Sequence, residues 1–300
     1  MKVPVLILAF NRPDHVRKAM EAVRTYQPPR LYLACDGPRD SKEGEAALVL
    51  EVQQAMQSAV DWDCEVQTLF REKNLGCGQA VYQAISWFFQ HEDYGVIIED
   101  DVLVGQDFFR LCEDLLPRYA GVPEVMAISA ENHSGRQDIP HSYVYTPRFN
   151  CWGWASWKRA WSLMDMDMTH TKSVTPWFLA RRLGLFEGLM MYYYFMGDYY
   201  HFIPFDTWDL RWFLSILVRR GLVICPGVNL AVNIGMSGGA HYEEGDANPY
   251  AHLRIGSLAW PLVYNDQISP DPVQSRYDKA DFRQVRLIGL RKKIKKLFRR

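Results

Sequence analysis

The chain has 300 residues, enough for one large domain or two small ones. Hydrophobic residues make up 48% of it and charged residues 23%, values typical of a globular protein and not of a disordered chain. The net charge of -1 conceals an asymmetry, because the last fifteen residues carry eight Lys/Arg and the rest has 26 basic and 35 acidic residues. This acidic body excludes nucleic acid as an expected partner, whereas the basic tail favours an anionic one.

The cysteines and the apolar runs predict a location in the cytoplasm. The six cysteines are widely scattered without a C-x-x-C pair, which favours reduced thiols over disulfides or a zinc site. The apolar stretch at the N-terminus is short and contains Pro4, so it is interpreted as a strand and not as a signal peptide. The longest uncharged run, Gly188 to Gly197, has about half the length that a membrane-spanning helix needs.

Strands and helices alternate through the first half of the chain. Strands are predicted at VPVLILAF, RLYLACD, CEVQTLF, GVIIED and VMAIS. Helices are predicted between them at PDHVRKAMEAVRTY, GEAALVLEVQQAMQSAV, GQAVYQAISWFFQ and GQDFFRLCEDLLPRY. Apolar strands separated by amphipathic helices predict an α/β fold, with a mostly parallel, Rossmann-like central sheet flanked by helices.

The second half is less regular, with a helix at TWDLRWFLSILVRRG and a strand at LVICPG. We predict one compact domain over residues 1–265, with halves at about 1–130 and 131–265, followed by an extension over 266–300. Aromatic residues make up 14% of the chain, which predicts either stacking surfaces or a Trp-rich core.

The tail, residues 286–300, places its Leu, Ile and Phe residues along one helical face among eight cations. This pattern is typical of a helix that lies on an anionic lipid surface. We therefore expect peripheral association with the cytoplasmic face of a membrane. An RNA-binding or simply solvated tail is the alternative.

Three predicted strands end in polar residues: AFNR supplies Arg12, ACDG supplies Asp36, and IEDD supplies Glu99, Asp100 and Asp101. Ligands of parallel sheets bind at the carboxyl ends of strands. Adjacent carboxylates disfavour one another's charge unless a cation lies between them, and Mn²⁺ or Mg²⁺ prefers oxygen ligands. The acids therefore predict a divalent metal site, with a solvated turn or a helix cap as the alternative. No G-x-G-x-x-G or Walker sequence is present, which disfavours a Rossmann dehydrogenase and a P-loop NTPase.

Six segments in order resemble the motifs of GT-A nucleotide-sugar glycosyltransferases, in particular the N-acetylglucosaminyltransferase I family. They are AFNR, ACDG, EDDVLVGQDFF, CWGWASWKRAW, TWDLRWF and CPGVNLAVNIGMSGGAHY, and they extend over roughly residues 3 to 245. The resemblance implies a GT-A fold, in which the first half binds the donor nucleotide and the second half binds the acceptor. It identifies the sugar and the acceptor much less specifically.

The resemblance also implies a role for each polar strand end. Arg12 would pair with the phosphates of the nucleotide, since a guanidinium suits phosphate oxygens. Asp36 would accept the uracil N–H, which selects UDP. Asp100 would bind the ribose, Asp101 would ligate the metal, and Glu99 would support them from behind. Without the resemblance, Arg12 reads as a surface arginine before a helix and Asp36 as a turn former.

Two further segments supply candidates for the donor site. REKNLGCGQAV leads into a helix, so its backbone N–H groups are expected to approach a phosphate or ribose, with Arg71 and Asn74 as candidate contacts; an ordinary strand-to-helix loop is the alternative. NCWGWASW corresponds to a turn that faces the donor sugar and acceptor in the family it resembles. We expect Gly153 and Trp154 to lie near the site, because aromatic faces stack on sugar C–H surfaces, although core packing also explains such tryptophans.

Asp209 in TWDLRW is the candidate general base, since inverting transfer needs a carboxylate that takes the proton of the attacking hydroxyl. An acid favoured by the helix dipole is the alternative. The family has Asp-Asp where this chain has Asp-Leu. His241 in GGAHY is a candidate second metal ligand or phosphate contact.

The expected function is metal-dependent, inverting transfer of a sugar, with GlcNAc as the candidate, from a UDP-sugar to a glycan or lipid-linked acceptor. A nucleotidyltransferase of related fold is one alternative. It should carry a Gly-rich, basic signature after the first strand, and AFNRPDH does not contain one. A non-catalytic, membrane-associated protein that binds nucleotides or glycans is the other.

Overall fold

The computed structural model describes residues 1–203, 205–235, 250 and 252–297, with side chains described through residue 286. Its first part has the predicted alternation of strands and helices. In chain order these are β1 (Val5–Ala9), α1 (Pro13–Tyr26), β2 (Arg30–Cys35), α2 (Glu45–Ser58), β3 (Glu65–Phe70), α3 (Cys77–His91) and β4 (Tyr94–Glu99).

The remaining elements alternate less regularly. They are β5 (Val102–Val104), α4 (Gln106–Arg118), β6 (Val125–Ser129), β7 (Tyr143–Thr146), β8 (Trp154–Trp157), α5 (Lys158–Trp161), a short 3-10 helix (Thr169–Ser173), α6 (Pro176–Leu183), α7 (Leu185–Tyr199), α8 (Asp209–Val218), β9 (Leu222–Pro226), β10 (Ala231–Asn233) and α9 (Pro272–Leu297). The helix predicted at TWDLRWF and the strand predicted at LVICPG are confirmed as α8 and β9.

Eight strands form one sheet in the order β3-β2-β1-β4-β8-β6-β9-β7. Six of them share one direction, whereas β8 is antiparallel to β4 and β6, and β7 is antiparallel to β9. The mostly parallel α/β fold is therefore confirmed. From β1 the chain moves outward to β2 and β3 and then returns to the other side of β1 with β4. This reversal opens a crevice at the carboxyl ends of β1 and β4, which is where ligands bind in such sheets.

The core explains most of the tryptophan surplus. Trp154 is fully buried and its ring stacks on that of Trp208, with centroids 5.4 Å apart. Trp161 and Trp212 pack around this pair. Of the two alternatives that the aromatic content left open, the Trp-rich core accounts for these four rings.

The C-terminal extension joins the sheet before it continues as α9. Tyr145 in β7 forms a bridge with Pro270, and Thr146 donates a hydrogen bond to Asp278 at 2.7 Å. The buried guanidinium of Arg136 forms an ion pair with Asp271 at 2.9 Å. The start of α9 is thereby fixed to the strand at the edge of the sheet. Within the described ranges, none of the helices has both the length and the apolarity needed to cross a membrane.

Candidate nucleotide-sugar site

Arg12 and the acidic triplet meet at the crevice between β1 and β4. The two strands are parallel neighbours, with Leu8 paired to Glu99, so the residues that follow them lie side by side. The Arg12 guanidinium contacts both adjacent acids, with Nη2 at 2.5 Å from Asp100 Oδ1 and Nη1 at 2.9 Å from Asp101 Oδ2. The sequence-predicted convergence of these side chains is thus present, and one cation is shared between two carboxylates.

The remaining negative charge at this point is poorly compensated. Asp100 is buried, and burial raises its pKa to about 6 although the charge of Arg12 opposes the shift. Burial, followed by the charges of Asp101 and Asp209, raises the pKa of Glu99 well above its ordinary value. Among the described residues, the side chain of Glu99 forms neither a hydrogen bond nor an ion pair. The site therefore has more carboxylates than cations.

This donor set fits a hard divalent cation. Asp101 is only partly buried, and such ions are often held by one or two carboxylates together with the phosphates of a substrate. The described part of the chain contains no group of three or more His, Cys, Asp or Glu side chains arranged to hold a metal ion by themselves. The fit therefore requires phosphate oxygens as additional ligands. His241 lies outside the described residues.

The turn after β10 closes over Asp101. Ile234 N donates a hydrogen bond to Asp101 O at 2.8 Å. A Cβ atom on Gly235 would lie 2.3 Å from Asp101 Oδ2 and 2.8 Å from Arg12 Nη1, so only glycine fits there without movement. The chain thereby approaches the acid from the side opposite to the sheet.

Asp36 organises a second part of the site, at the end of β2. Its carboxylate accepts hydrogen bonds from Gly37 N at 3.0 Å, Asn74 Nδ2 at 2.9 Å and Leu75 N at 3.1 Å. Burial raises its pKa, and the charge of Arg71 is among the effects that oppose the shift. The structure therefore brings Asp36, Arg71 and Asn74 together, with Asp36 fixing the loop between β3 and α3.

The start of α3 is occupied by a carboxylate that the sequence analysis missed. Asp206 accepts hydrogen bonds from Cys77 N at 2.9 Å and Gly78 N at 2.8 Å. These are the free amides of a helix N-terminus, which attract anions. The contact spans 128 residues of sequence, so no local motif indicated it. The amides that REKNLGCGQAV was expected to offer to a phosphate are thus already engaged by Asp206.

Asp209 is the first residue of α8 and faces the acidic cluster. Its Oδ1 accepts hydrogen bonds from the Thr207 hydroxyl and from Leu210 N. Four carboxylates lie near the Cys151 thiol. Burial raises the pKa of this thiol, and so do the charges of Asp209, Glu99, Glu131 and Asp101. The proposed base and the proposed metal ligand therefore both lie near Cys151.

The tryptophan that faces open space near the site is Trp152, and not Trp154. Trp154, which we expect to lie near the site, has a fully buried side chain, so its ring is not exposed for stacking on a sugar. Gly153 has a positive φ of 73°, and a Cβ atom there would lie 2.6 Å from Val104 Cγ1. This glycine turns the chain between the two rings, and its own role is packing against the strand that follows the acids.

Trp152 lines a cavity of about 390 Å³ beside the acidic triplet. Tyr250 and Asn233 also line it, with the rings of Trp152 and Tyr250 perpendicular at 5.3 Å. Asn233 pairs with Val102, the residue after Asp101, so the cavity adjoins the metal-binding candidate. An aromatic wall with a polar amide is suited to a saccharide.

A buried cluster positions Trp152. Glu131 accepts a hydrogen bond from Trp152 N at 2.7 Å and another from His133 Nε2 at 2.8 Å. The other ring nitrogen of His133 lies 3.6 Å from Asp281. Burial disfavours the charged imidazole, but Asp281 and Glu131 together raise the pKa of His133 to about 9.

This cluster predicts a pH-dependent stability. The pKa of His133 is about 9 in the folded protein and 6.5 as a free side chain, so its protonation stabilises the fold fully below pH 6.5. That contribution, on the order of 3 kcal/mol, is lost as the pH rises through 9. Chemical denaturation of wild type and His133→Gln at several pH values should show a difference in unfolding free energy that shrinks over this window. A difference independent of pH would contradict a charged His133.

No family model matches the chain, and no curated protein matches it. Solved structures that match include mouse xyloside xylosyltransferase 1 in its apo form, at 12% identity over 72% of this chain and 81% of that one, with a TM-score of 0.36. HddC from Yersinia pseudotuberculosis matches at 11% identity over 52% and 77%, with a TM-score of 0.32. The glycosyltransferase GlyE of Streptococcus pneumoniae TIGR4 matches at 14% over 58% and 41%, with a TM-score of 0.30. These likenesses are too distant to assign the chain to a family.

Proposed function

We propose that this chain is a metal-dependent, inverting glycosyltransferase of the GT-A type that moves a sugar, with GlcNAc as the candidate, from a UDP-sugar to an acceptor hydroxyl. The observation that carries the proposal is the arrangement at the crevice between β1 and β4. There Arg12 bridges Asp100 and Asp101 while Glu99 remains without a partner among the described residues. A site with surplus carboxylates and one guanidinium shared between two of them suits a metal–diphosphate pair.

The donor is bound by the chain's own polar groups at three strand ends. Arg12 pairs with the diphosphate, and Asp100 accepts from the ribose. Asp36 presents its carboxylate to the uracil N–H, and Arg71 and Asn74 support the nucleoside from the loop that Asp36 fixes. Glu99, Gly153 and Trp154 act behind these contacts: the first is a buried carboxyl group near Asp101, and the other two shape the wall that carries Trp152.

Asp101, with His241 as a further candidate, holds Mn²⁺ or Mg²⁺. When bound, the ion offsets the charge that develops on the leaving UDP. Asp101 is partly exposed, and its Oδ2 is the oxygen that contacts Arg12. The buried Asp100 anchors Arg12 and maintains the geometry around its neighbour.

Asp209 accepts the proton of the acceptor hydroxyl. The Thr207 hydroxyl and Leu210 N both bond Oδ1 and thereby orient the carboxylate. The acceptor, a glycan or a lipid-linked saccharide, enters the cavity that Trp152 and Tyr250 line. A carboxylate with a fixed orientation is suited to proton abstraction.

The basic segment 286–300 brings the enzyme to the cytoplasmic face of a membrane, where a lipid-linked acceptor would be available. Its backbone is helical through Leu297 as part of α9. The side chains after residue 286 lie outside the described part of the chain, so the amphipathic pattern of this segment remains a sequence-based prediction.

A ligand screen by thermal shift tests the proposal. UDP-sugars with Mn²⁺ should raise the Tm by on the order of 5 °C at a hundredfold excess over Kd, because a ligand that binds only the folded state stabilises it by about 2.7 kcal/mol. UDP without Mn²⁺ and other nucleoside diphosphates should raise the Tm less. Slow hydrolysis of the stabilising donor, followed by UDP release, should accompany binding.

Other outcomes of this screen would reject the proposal. A shift with nucleoside triphosphates and sugar phosphates, together with pyrophosphate release, would indicate a nucleotidyltransferase. Binding without donor hydrolysis and without transfer to any acceptor would indicate a non-catalytic nucleotide-binding protein.

A further inference from the structure

Helix α7 buries both of its charged residues, together with apolar residues such as Met191 and Phe195, and exposes other apolar residues on its outer side. The only charged residues in it, Glu187 and Asp198, are both buried. They form ion pairs with Arg148 at 2.6 Å and Arg211 at 3.0 Å. A helix on the surface of a globular protein normally has the opposite arrangement. The interior side of α7 is therefore fixed by ion pairs, and its outer side must be explained separately.

The outer side of α7 is a continuous apolar face. It consists of Leu185, Phe186, Leu189, Tyr193 and, directly after the helix, Tyr200, with exposed fractions between 44% and 63%. At about 100° per residue these five positions fall within an arc of roughly 100°. No charged residue interrupts this arc. We call these five residues the α7 apolar face; contiguous exposed patches of this kind mark interaction surfaces.

Two cations on α6 and one that follows α8 line a cleft next to this helix pair. Helix α6 packs on α7, and its Trp177 is 70% exposed. Trp177 lines a cleft of about 630 Å³ together with Arg181, Arg182 and Arg220. Within the described ranges none of these three arginines forms an ion pair, and the buried Nε of Arg182 lacks a hydrogen-bond partner. The cleft is therefore suited to anionic groups.

The basic tail begins beside the α7 apolar face. The rings of Phe186 and Phe282 lie 6.2 Å apart, and the Arg286 guanidinium lies over the Tyr194 ring at 4.7 Å. From the first contact to the second, the residue numbers rise along both α7 and α9. The sequence after Arg286 adds seven Lys/Arg and no acid. The start of the basic tail therefore lies beside the α7 apolar face.

We propose that the α7 apolar face, flanked by the arginines of the cleft and by α9, docks on an anionic lipid bilayer. Exposed Leu and Phe side chains would insert at the acyl boundary, Trp and Tyr suit the interface, and arginines suit lipid phosphates. A second copy of the chain is a poorer occupant, because a two-fold dimer places like surfaces together and would bring these cations near their own copies. The inference extends the membrane association in the proposed function to a second surface, and it does not depend on the sugar transfer itself.

Vesicle flotation of the full chain tests the docking surface. Wild type should float with phosphatidylcholine vesicles that contain phosphatidylglycerol and bind more weakly to phosphatidylcholine alone. Leu189→Asp should weaken binding to the anionic vesicles by about tenfold, because the bilayer then no longer buries the apolar side chain of Leu189. Leu50→Asp is the matched control, since Leu50 is also an exposed helical leucine, at 54% against 48% for Leu189. It should bind like wild type.

Three results would overturn the inference. The first is that wild type does not bind anionic vesicles. The second is that Leu189→Asp binds them as wild type does, which would leave the tail as the sole anchor. The third is that light scattering shows wild type as a dimer and Leu189→Asp as a monomer, which would identify the face as a protein interface. Thermal melts of both variants verify that any loss of binding is not a loss of folding.

Discussion

Asp101→Asn is expected to reduce kcat/KM by about 10²- to 10³-fold, the range seen when one group that stabilises transition-state charge is removed. The amide keeps the shape of the carboxylate and can still accept a hydrogen bond from Arg12, but it has no negative charge for a divalent cation. Steady-state UDP release at increasing Mn²⁺ concentration measures the effect. The variant should also require more Mn²⁺ for half-maximal activity.

The fold should survive this substitution. Arg12 keeps its contact with Asp100, and a partly exposed ion pair contributes about 1 kcal/mol or less. Asp266→Asn is the control: this acid pairs with Arg118 at the surface, and its side chain is 87% exposed. Unchanged activity and Mn²⁺ dependence in Asp101→Asn, with Asp266→Asn equally active, would reject the assignment of the metal site.

Asp209→Asn is expected to lower the rate of transfer without weakening the binding of donor or metal. Loss of a general base lowers the rate by about 10²- to 10⁴-fold. Asparagine keeps Oδ1, which can still accept the hydrogen bonds from Thr207 and Leu210 N, so α8 should keep its start. Donor and Mn²⁺ affinities should remain those of wild type, because Asp209 acts on the acceptor. Isothermal titration with the UDP-sugar and Mn²⁺, together with transfer assays, separates binding from turnover.

The two variants together discriminate the two roles. Asp101→Asn should lose metal and donor binding with turnover, whereas Asp209→Asn should lose turnover alone. If Asp209→Asn also weakens donor binding by the same factor as it lowers the rate, Asp209 belongs to the donor site and another carboxylate is the base. Glu99, which lies near Asp209, would then be the next candidate.

Much of the site could be predicted because parallel strands bring their carboxyl ends to one edge. Arg12 follows β1, Asp36 follows β2 and Asp100 follows β4, so alternation of strands and helices was sufficient to place them together. Buried apolar strands of this kind have clear sequence patterns, and the first seven elements were predicted near their observed positions.

The remaining features depend on contacts that a local pattern does not contain. Asp206 caps α3 across 128 residues, and no property of its own neighbourhood indicates this. Trp152 and Trp154 are both flanked by similar residues, and only the positive φ of Gly153 decides which ring faces the cavity. The composition of α7 is that of a core helix. Its two acids are buried because they pair with arginines from distant parts of the chain, and these pairs leave an apolar side exposed.

The guanidinium shared between Asp100 and Asp101 would make the binding of a cation and the binding of a phosphate group depend on each other. As long as Arg12 neutralises Asp101, it is not free to grip a phosphate, and Asp101 is not free to hold a cation. Whatever draws Arg12 toward phosphate oxygens uncovers Asp101, and whatever neutralises Asp101 releases Arg12. By thermodynamic reciprocity, the gain in affinity that either component gives the other must be the same factor.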